Sequence, residues 1–136
     1  MALTVSFDVL HQYDAALDDI IVPVKLSAGA KVVEFGAKLD TGAACCIFQR
    51  HYARMLGFTV EDGKRRAFAM ASGRPFIAFG HQVTLSALEF HFESRVYFAE
   101  DPDFQRNVLG REDWIRRVKL GMVDVDGLLY VGVPSA

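Results

Sequence analysis

The pattern of apolar and polar positions predicts a chain built mostly of β-strands. Residues 20–26 and 31–39 are rich in β-branched residues, and a Ser-Ala-Gly-Ala turn at residues 27–30 separates them. They predict a β-hairpin. Pro23 lies in the first arm, and because proline cannot donate to a strand ladder, it indicates an edge or a bulge. Residues 3–10 predict a further strand ahead of this hairpin.

The middle of the chain predicts two more hairpins. Residues 67–80 form two apolar arms around a Ser-Gly-Arg-Pro turn, which is typical of a hairpin with an exposed tip. Residues 81–98 predict the second hairpin, with its turn at residues 86–87. Residues 44–48 indicate a short buried strand, and the mixed charges of residues 61–66 predict a solvated loop.

Two stretches have a helical pattern. Residues 49–56 place apolar side chains on one face and are followed by Gly57, which predicts a short helix. Residues 111–120 carry acids early and bases late, as the helix dipole favours, and Gly121 would end this helix. The final run, residues 122–133, predicts two strands around an Asp-Gly turn.

Length and charge limit the classes of function. The 136 residues fit one domain, residues 1–136 with a core at about 20–131. A net charge of −2 gives no basic field, and no stretch approaches the 20 or so apolar residues of a membrane span, so we expect neither nucleic-acid nor membrane partners. Residues 1–8 lack the features of a secretory signal, which favours a cytoplasmic setting. The 51 % apolar content suggests a core plus a subunit interface.

Cysteines and histidines give no sign of a metal or a cofactor. Cys45 and Cys46 are neighbours, so in a strand their side chains would point to opposite faces and a bond between them would be strained. We expect reduced thiols that pack in the core. The histidines lack the spacing of metal ligands: His11, His51, His81 and His91.

The strongest candidate for chemistry is Asp40-Thr41-Gly42, directly after the strand-like residues 31–39. A carboxylate there needs stabilising groups around it, and its small neighbours allow a backbone or a ligand to approach. An Asp-[Ser/Thr]-Gly triplet occurs by chance in roughly one chain in twenty of this length. A functional role for the triplet therefore needs support from another part of the chain. Residues 107–110 provide it, because they contain two apolar residues followed by glycine.

These motifs, in this order, resemble the retroviral-type (retropepsin-like) aspartic protease family, including its cellular and bacterial single-domain members. The resemblance spans roughly residues 20–131. It rests on Leu39-Asp40-Thr41-Gly42-Ala43, on Ala71-Ser72-Gly73 with Gly80 and Leu85, and on Asn107-Val108-Leu109-Gly110 followed by Glu112-Asp113-Trp114-Ile115. It implies an all-β fold with one or two short helices, arranged as a closed barrel of the acid-protease type with one lobe per chain.

The resemblance also implies an activity. The chain holds a single Asp-[Ser/Thr]-Gly, whereas such an enzyme needs two, so the second must come from another copy of the chain. The implied assembly is a homodimer with its site on the two-fold axis. The two Asp40 carboxylates would share a proton and activate a water molecule to hydrolyse a peptide bond of a peptide or unfolded protein, without a cofactor.

Roles for other residues follow from the same resemblance. Thr41 would bond to the partner's turn, and Gly42 would keep the backbone open. Substrate would contact two groups: Ala43 and Ala44 after the turn, and Met70, Ala71, Ser72, Gly73 and Arg74 on a flap hairpin. Residues 108–110 would pack beneath the turn. Arg111 is a departure, because the acidic residue that often pairs with it is replaced in this chain by Ala44 and Cys45.

Alternatives remain open. The chain could be a retropepsin-like domain that dimerises and binds peptides with little or no turnover. It could also be an unrelated small β-barrel whose aspartate turn is structural. Residues 123–133 could form part of a dimer interface, because apolar terminal strands tend to seek partners, or could close the barrel within one chain.

Overall fold

The computed structural model describes residues 1–134. This part of the chain contains one α-helix, α1 (Arg50–Met55), and short 3-10 helices at Val60–Asp62, Ile115–Arg117 and Asp124–Asp126. The strands are β1 (Val9–Gln12), β2 (Ile21–Ala28), β3 (Lys31–Leu39), β4 (Ile47–Phe48), β5 (Lys64–Phe68), β6 (Phe76–Ala87), β7 (Phe90–Ala99), β8 (Val108–Leu109), β9 (Lys119–Val123) and β10 (Leu128–Gly132). The predicted all-β class is confirmed.

The main sheet closes on itself. Its strand order is β2-β3-β8-β4-β7-β6-β5, and β2 also pairs with β6. The pairs β3–β8 and β4–β7 are parallel, whereas β2–β3 and β6–β7 are antiparallel. Pro23 lies in the part of β2 that pairs with β3 alone, because β6 contacts only residues 25–27. The edge position predicted for this proline is thus confirmed.

The core fills the interior of this sheet. In β2, the side chains of Val22, Val24 and Leu26 point inward and those between them are exposed, which is the alternation of a strand with one buried face. The largest fully buried side chains come from several elements: Trp114, Phe48, Phe98, Leu26, Leu85 and Leu109. Burying each of them stabilises the fold by about 2 kcal/mol.

A second, three-stranded sheet joins the two ends of the chain in the order β1-β10-β9. The predicted C-terminal hairpin is confirmed, and its turn depends on Gly127, whose φ is +65° and whose Cβ would lie 2.3 Å from the Tyr13 carbonyl oxygen. Because this hairpin pairs with β1 and not with the main sheet, the expectation that it closes the barrel is wrong. Its role in a dimer interface stays a prediction.

The helix predicted at residues 111–120 is wrong. Residues 111–114 form turns, a 3-10 helix follows, and β9 begins at Lys119. Trp114 leaves helical geometry, with φ −139° and ψ −60°, and is completely buried. The last two residues of the segment, Lys119 and Leu120, pair with β10 in an antiparallel ladder. Packing of the tryptophan and strand pairing therefore override the helical charge pattern.

Other boundaries differ from the predictions. The first strand starts at Val9, because only from Asp8 onward does the backbone find a partner, the Val131 carbonyl. The short strand predicted at residues 44–48 covers only Ile47–Phe48, and the supposed loop at residues 61–66 already enters β5 at Lys64.

The second predicted hairpin is present, with its turn two residues later than expected. Leu88 and Glu89 form this turn with φ values of +50° and +71°, so β6 continues through the residues predicted as the turn.

No helix within residues 1–134 is both long and apolar enough to cross a membrane.

Candidate active site

Asp40 sits in a tight turn that its own backbone and side chain fix in place. The Asp40 amide donates to the Leu109 carbonyl at 3.1 Å, so the turn is tied to β8 where β3 ends. The Ala43 amide donates to the Asp40 carbonyl at 3.2 Å, and the Gly42 amide donates to Asp40 Oδ1 at 2.9 Å. The carboxylate is half-buried and has a defined orientation.

The segment after β8 lies directly against this turn. A Cβ on Gly110 would lie 2.2 Å from the Cys45 carbonyl oxygen, so only glycine fits. The Arg111 amide donates to the Ala43 carbonyl at 2.9 Å, and the Glu112 amide donates to the Ala44 carbonyl at 2.8 Å. A segment distant in sequence thus holds the aspartate turn from one side.

Cys45 and Cys46 belong to the support of the turn. Both are free and fully buried, and the Gly110 amide points at Cys46 Sγ at 3.4 Å. Burial raises the pKa of Cys45 to about 12 and also raises that of Cys46. These thiols are neutral and poorly nucleophilic at ordinary pH, so the structure is consistent with the predicted packing role.

A groove of about 350 Å³ opens beside Asp40. It runs between the aspartate turn and the β5–β6 hairpin, and most of its walls are apolar. Its lining residues are Asp40, Gly42, Ala43, Ala44, Ile47, Phe68, Ala69, Met70, Phe76, Phe104, Arg106 and Val108. Of the predicted site residues, the groove brings together Asp40, Gly42, Ala43 and Ala44 of the turn with Met70 of the hairpin.

The remaining hairpin residues lie elsewhere. Gly73 and Arg74 line a separate hollow on the hairpin, and Ala71 and Ser72 line neither cavity. The tip is an exposed turn in which the Gly73 amide donates to the Met70 carbonyl at 3.0 Å, and Gly73 has a φ of +81°. Thr41 is exposed, and within residues 1–134 it has no partner for its hydroxyl.

Sequence reasoning missed several groove residues. Phe104, Arg106 and Val108 alternate along the segment that enters β8 and all line the groove, as every second residue of an extended chain does. Asn107 points the other way and accepts the Gln49 amide through Oδ1 at 3.1 Å. The sequence carried no clear signal for this wall, because Arg106 is charged and Leu109 is apolar, so apolar and polar residues do not alternate along the segment.

An ion pair joins the β5–β6 hairpin to the site. Arg66 on β5 binds Glu112 through two nitrogen–oxygen contacts of 2.8 and 3.1 Å, and the Arg66 guanidinium also lies over the Phe68 and Tyr97 rings. Arg111 is exposed and forms no ion pair within residues 1–134. The ion pair beside the site thus involves Glu112, the residue after Arg111, and an arginine of the hairpin.

Replacing Glu112 with Gln should make the protein less sensitive to acid. Hydrogen bonds from Arg66 hold the pKa of Glu112 below its ordinary 4.5, so the pair stabilises the fold above that pH and stops doing so as the pH falls through the lowered pKa. We expect Glu112→Gln to lower the free energy of unfolding by up to about 1 kcal/mol at pH 7, since solvent screens a pair that is about one-third exposed.

Urea unfolding at pH 7 and at pH 3 would measure this difference, which should shrink at the lower pH. Glu34→Gln is the control, because Glu34 is exposed and outside any ion pair of residues 1–134. An equal loss at both pH values for Glu112→Gln would show that the ion pair is not its source.

Two further features place limits on the site. Among residues 1–134, no three His, Cys, Asp or Glu side chains cluster as metal ligands would. A larger groove, of about 680 Å³, lies between β1 and the chain that follows it, the β2–β3 hairpin and the β6–β7 turn, and it does not contain Asp40. The groove that contains the candidate catalytic aspartate is the smaller of these two.

Comparison with known proteins supports the fold. No protein-family model matches the chain, and no curated protein matches it significantly. Among solved structures, a retropepsin-like aspartic protease from Rickettsia conorii matches with a TM-score of 0.62 and 18 % identity, covering 94 % of this chain and 99 % of that one. EIAV protease in complex with the inhibitor HBY-793 matches with a TM-score of 0.53 and 19 % identity, over 70 % of this chain and 84 % of that one. The chain has the fold of retropepsin-like aspartic proteases.

Proposed function

We propose that the protein is an aspartic endopeptidase that is active as a homodimer. The observation that carries this proposal is the position of Asp40, which is fixed in its turn at the side of an apolar groove and faces a hairpin on a retropepsin-like fold. An unrelated barrel with a purely structural aspartate would not need such a groove beside the carboxylate.

The dimer follows from the number of carboxylates. Asp40 is the only ionisable acid of its groove, and an acid–base pair of carboxylates needs a second one. A second copy related by a two-fold axis would supply it. The exposed Thr41 would then find its partner in the other subunit's turn. The terminal sheet and its turn would help to form the interface, since they expose large apolar side chains: Leu10, Met122, Val123 and Val125.

The chemistry uses the two Asp40 carboxylates as one unit. At close range both cannot be ionised, so the pair holds one proton. The ionised carboxylate takes a proton from a water molecule as the water attacks the scissile carbonyl carbon. The protonated carboxylic acid donates a hydrogen bond to the developing oxyanion, and a carboxyl proton then goes to the leaving nitrogen.

The groove accounts for substrate binding. An extended peptide would lie between the turn residues Ala43 and Ala44 on one side and Met70 of the hairpin on the other, with its side chains directed alternately into the apolar walls. The hairpin tip, with Ala71, Ser72, Gly73 and Arg74, would act as a flap that closes over the peptide and excludes water. Arg66 and Glu112 would position the base of this flap.

The test is cleavage of an unstructured protein at pH 3 to 7 over a range of enzyme concentrations. We expect fragments to appear, and the activity per mole of chain to rise with concentration as dimers form. Sedimentation should show the dimer over the same range. A monomer that retains activity at every concentration would contradict the shared site. Peptide binding without cleavage at any pH would favour the alternative of a peptide-binding domain with little or no turnover.

A further inference from the structure

The groove beside Asp40 carries a second charge that the catalytic chemistry does not use. Of the twelve residues that line it, only Asp40 and Arg106 are ionisable. Arg106 is exposed and forms neither an ion pair nor a side-chain hydrogen bond within residues 1–134. Its guanidinium, with five donors in a rigid fork, is therefore available to a ligand.

The backbone next to Arg106 is held in place through Asn107. The Asn107 carbonyl accepts the Lys38 amide at 2.8 Å, and the Asn107 side chain accepts the Gln49 amide. These contacts hold Asn107 toward the body of the protein, while Phe104, Arg106 and Val108 line the groove. Arg106 thus lines the groove between Phe104 and Val108, and its exposed side chain also borders a neighbouring hollow that contains Asp19 and Lys38.

The chemistry of the wall selects one class of substrate. Aromatic and aliphatic side chains of a peptide fit the apolar surfaces of Phe68, Phe76 and Phe104. A peptide that fills the groove also removes water from Arg106, and a carboxylate is the group that best replaces this water, because it can accept two parallel hydrogen bonds from the guanidinium. A lysine at the same place would be repelled.

We propose that Arg106 determines specificity for peptides that carry an acidic side chain within about two residues of the scissile bond, next to bulky apolar residues. The distance follows from the size of the groove, since a cavity of about 350 Å³ is roughly 7 Å across and a strand advances about 3.3 Å per residue. This inference rests on the proposed function, because it concerns the substrate of the same site.

The experiment uses fluorescein-labelled decapeptides with a central Phe-Phe, in which Glu, Gln or Lys occupies each of the two positions on either side in turn. Binding to Asp40→Asn protein is measured by fluorescence anisotropy, and cleavage by the wild-type protein is measured separately. We expect at least one position at which Glu binds about threefold to tenfold more tightly than Gln, and Lys more weakly than either, with the difference reduced by added salt.

Variants of Arg106 test whether this residue is the source of the preference for Glu peptides. Arg106→Gln, introduced into the Asp40→Asn protein, should remove the difference between Glu and Gln peptides, and Arg106→Glu should reverse it in favour of Lys. Arg54→Gln is the matched control, because Arg54 is an exposed arginine on α1 that does not line the groove. The control should keep the preference for Glu.

The outcomes separate this inference from the proposed function. Equal binding of the Glu, Gln and Lys peptides at every position would overturn the role of Arg106, whether or not the wild-type protein cleaves them. A preference for Glu that Arg106→Gln removes would support it, even if no cleavage occurs, and the absence of cleavage would then count against the peptidase alone. No binding of any peptide would overturn the inference.

Discussion

Replacing Asp40 with Asn is expected to abolish peptide cleavage, with a loss of at least about a thousandfold in kcat. The amide cannot take a proton from water, so the acid–base pair is lost. The fold should be kept, because the amide oxygen of Asn can still accept the Gly42 amide that now donates to Asp40 Oδ1. Cleavage of an unstructured protein and urea unfolding would be measured on the same preparation.

Another Asp-Gly sequence of the chain provides a matched control for this substitution. Asp62 precedes a glycine and is exposed in a short 3-10 helix, so Asp62→Asn should leave the cleavage rate unchanged. Asp126 is not used, because it lies in the turn proposed for the dimer interface. Activity of Asp40→Asn equal to that of Asp62→Asn would remove the catalytic role of Asp40.

The shared site also predicts interference between subunits. If a ninefold excess of Asp40→Asn protein is mixed with wild-type protein and subunits exchange, only about a tenth of the wild-type chains find a wild-type partner. Activity per wild-type chain should then fall roughly tenfold. Unchanged activity in this mixture would mean that one chain works alone.

Replacing Gly110 with Ala is expected to destabilise the protein by about 3 kcal/mol and to remove activity with it. The new Cβ would lie 2.2 Å from the Cys45 carbonyl oxygen, 2.5 Å from the Cys45 carbonyl carbon and 3.0 Å from the Ala43 carbonyl oxygen. All three are backbone atoms and cannot rotate away. The aspartate turn or the segment after β8 must therefore shift, and the hydrogen bonds from Arg111 and Glu112 to the turn would weaken.

Gly36→Ala is the control for Gly110→Ala. A Cβ at Gly36 would lie 2.8 Å from the Cγ2 methyl of Ile21, on the exposed side of the β2–β3 hairpin, and rotation of this exposed side chain about χ1 relieves the contact without a shift of backbone atoms. We expect a change in stability of less than about 1 kcal/mol. Equal urea midpoints for the two variants would show that Gly110 does not support the turn by close contact.

The hairpins were predictable because their signal is local. The turn at residues 27–30 and the Asp-Gly turn before Leu128 each sit between strand-like runs, and both hairpins are present. The residues around Asp40 were also found, because a carboxylate followed by a small polar residue and glycine after a strand is an unusual local pattern. The helix prediction for residues 111–120 was wrong because their structure depends on distant parts of the chain. Their local pattern is helical, but burial of Trp114 and pairing with β10 decide their structure.

The groove could not be read from the sequence in the same way. Its walls combine the turn at residues 40–44, the hairpin residues Phe68 and Met70, and the segment from Phe104 to Val108. The ion pair between Arg66 and Glu112 joins residues 46 positions apart. No local pattern predicts which arginine and which acidic residue form an ion pair, because their distance depends on how the sheet closes.

The sequence by itself thus determined most of the strands, the aspartate turn and the presence of a single Asp-[Ser/Thr]-Gly triplet, since each of these is a local feature of neighbouring residues. Only the tertiary structure decided that Gly110 fits against the turn, that Glu112 and not Arg111 forms an ion pair, and that Arg106 lines the groove beside Asp40. The physical reason is that these contacts depend on the pairing of β8 with β3 and β4, and a strand pairing between distant residues is selected by the packing of the whole core.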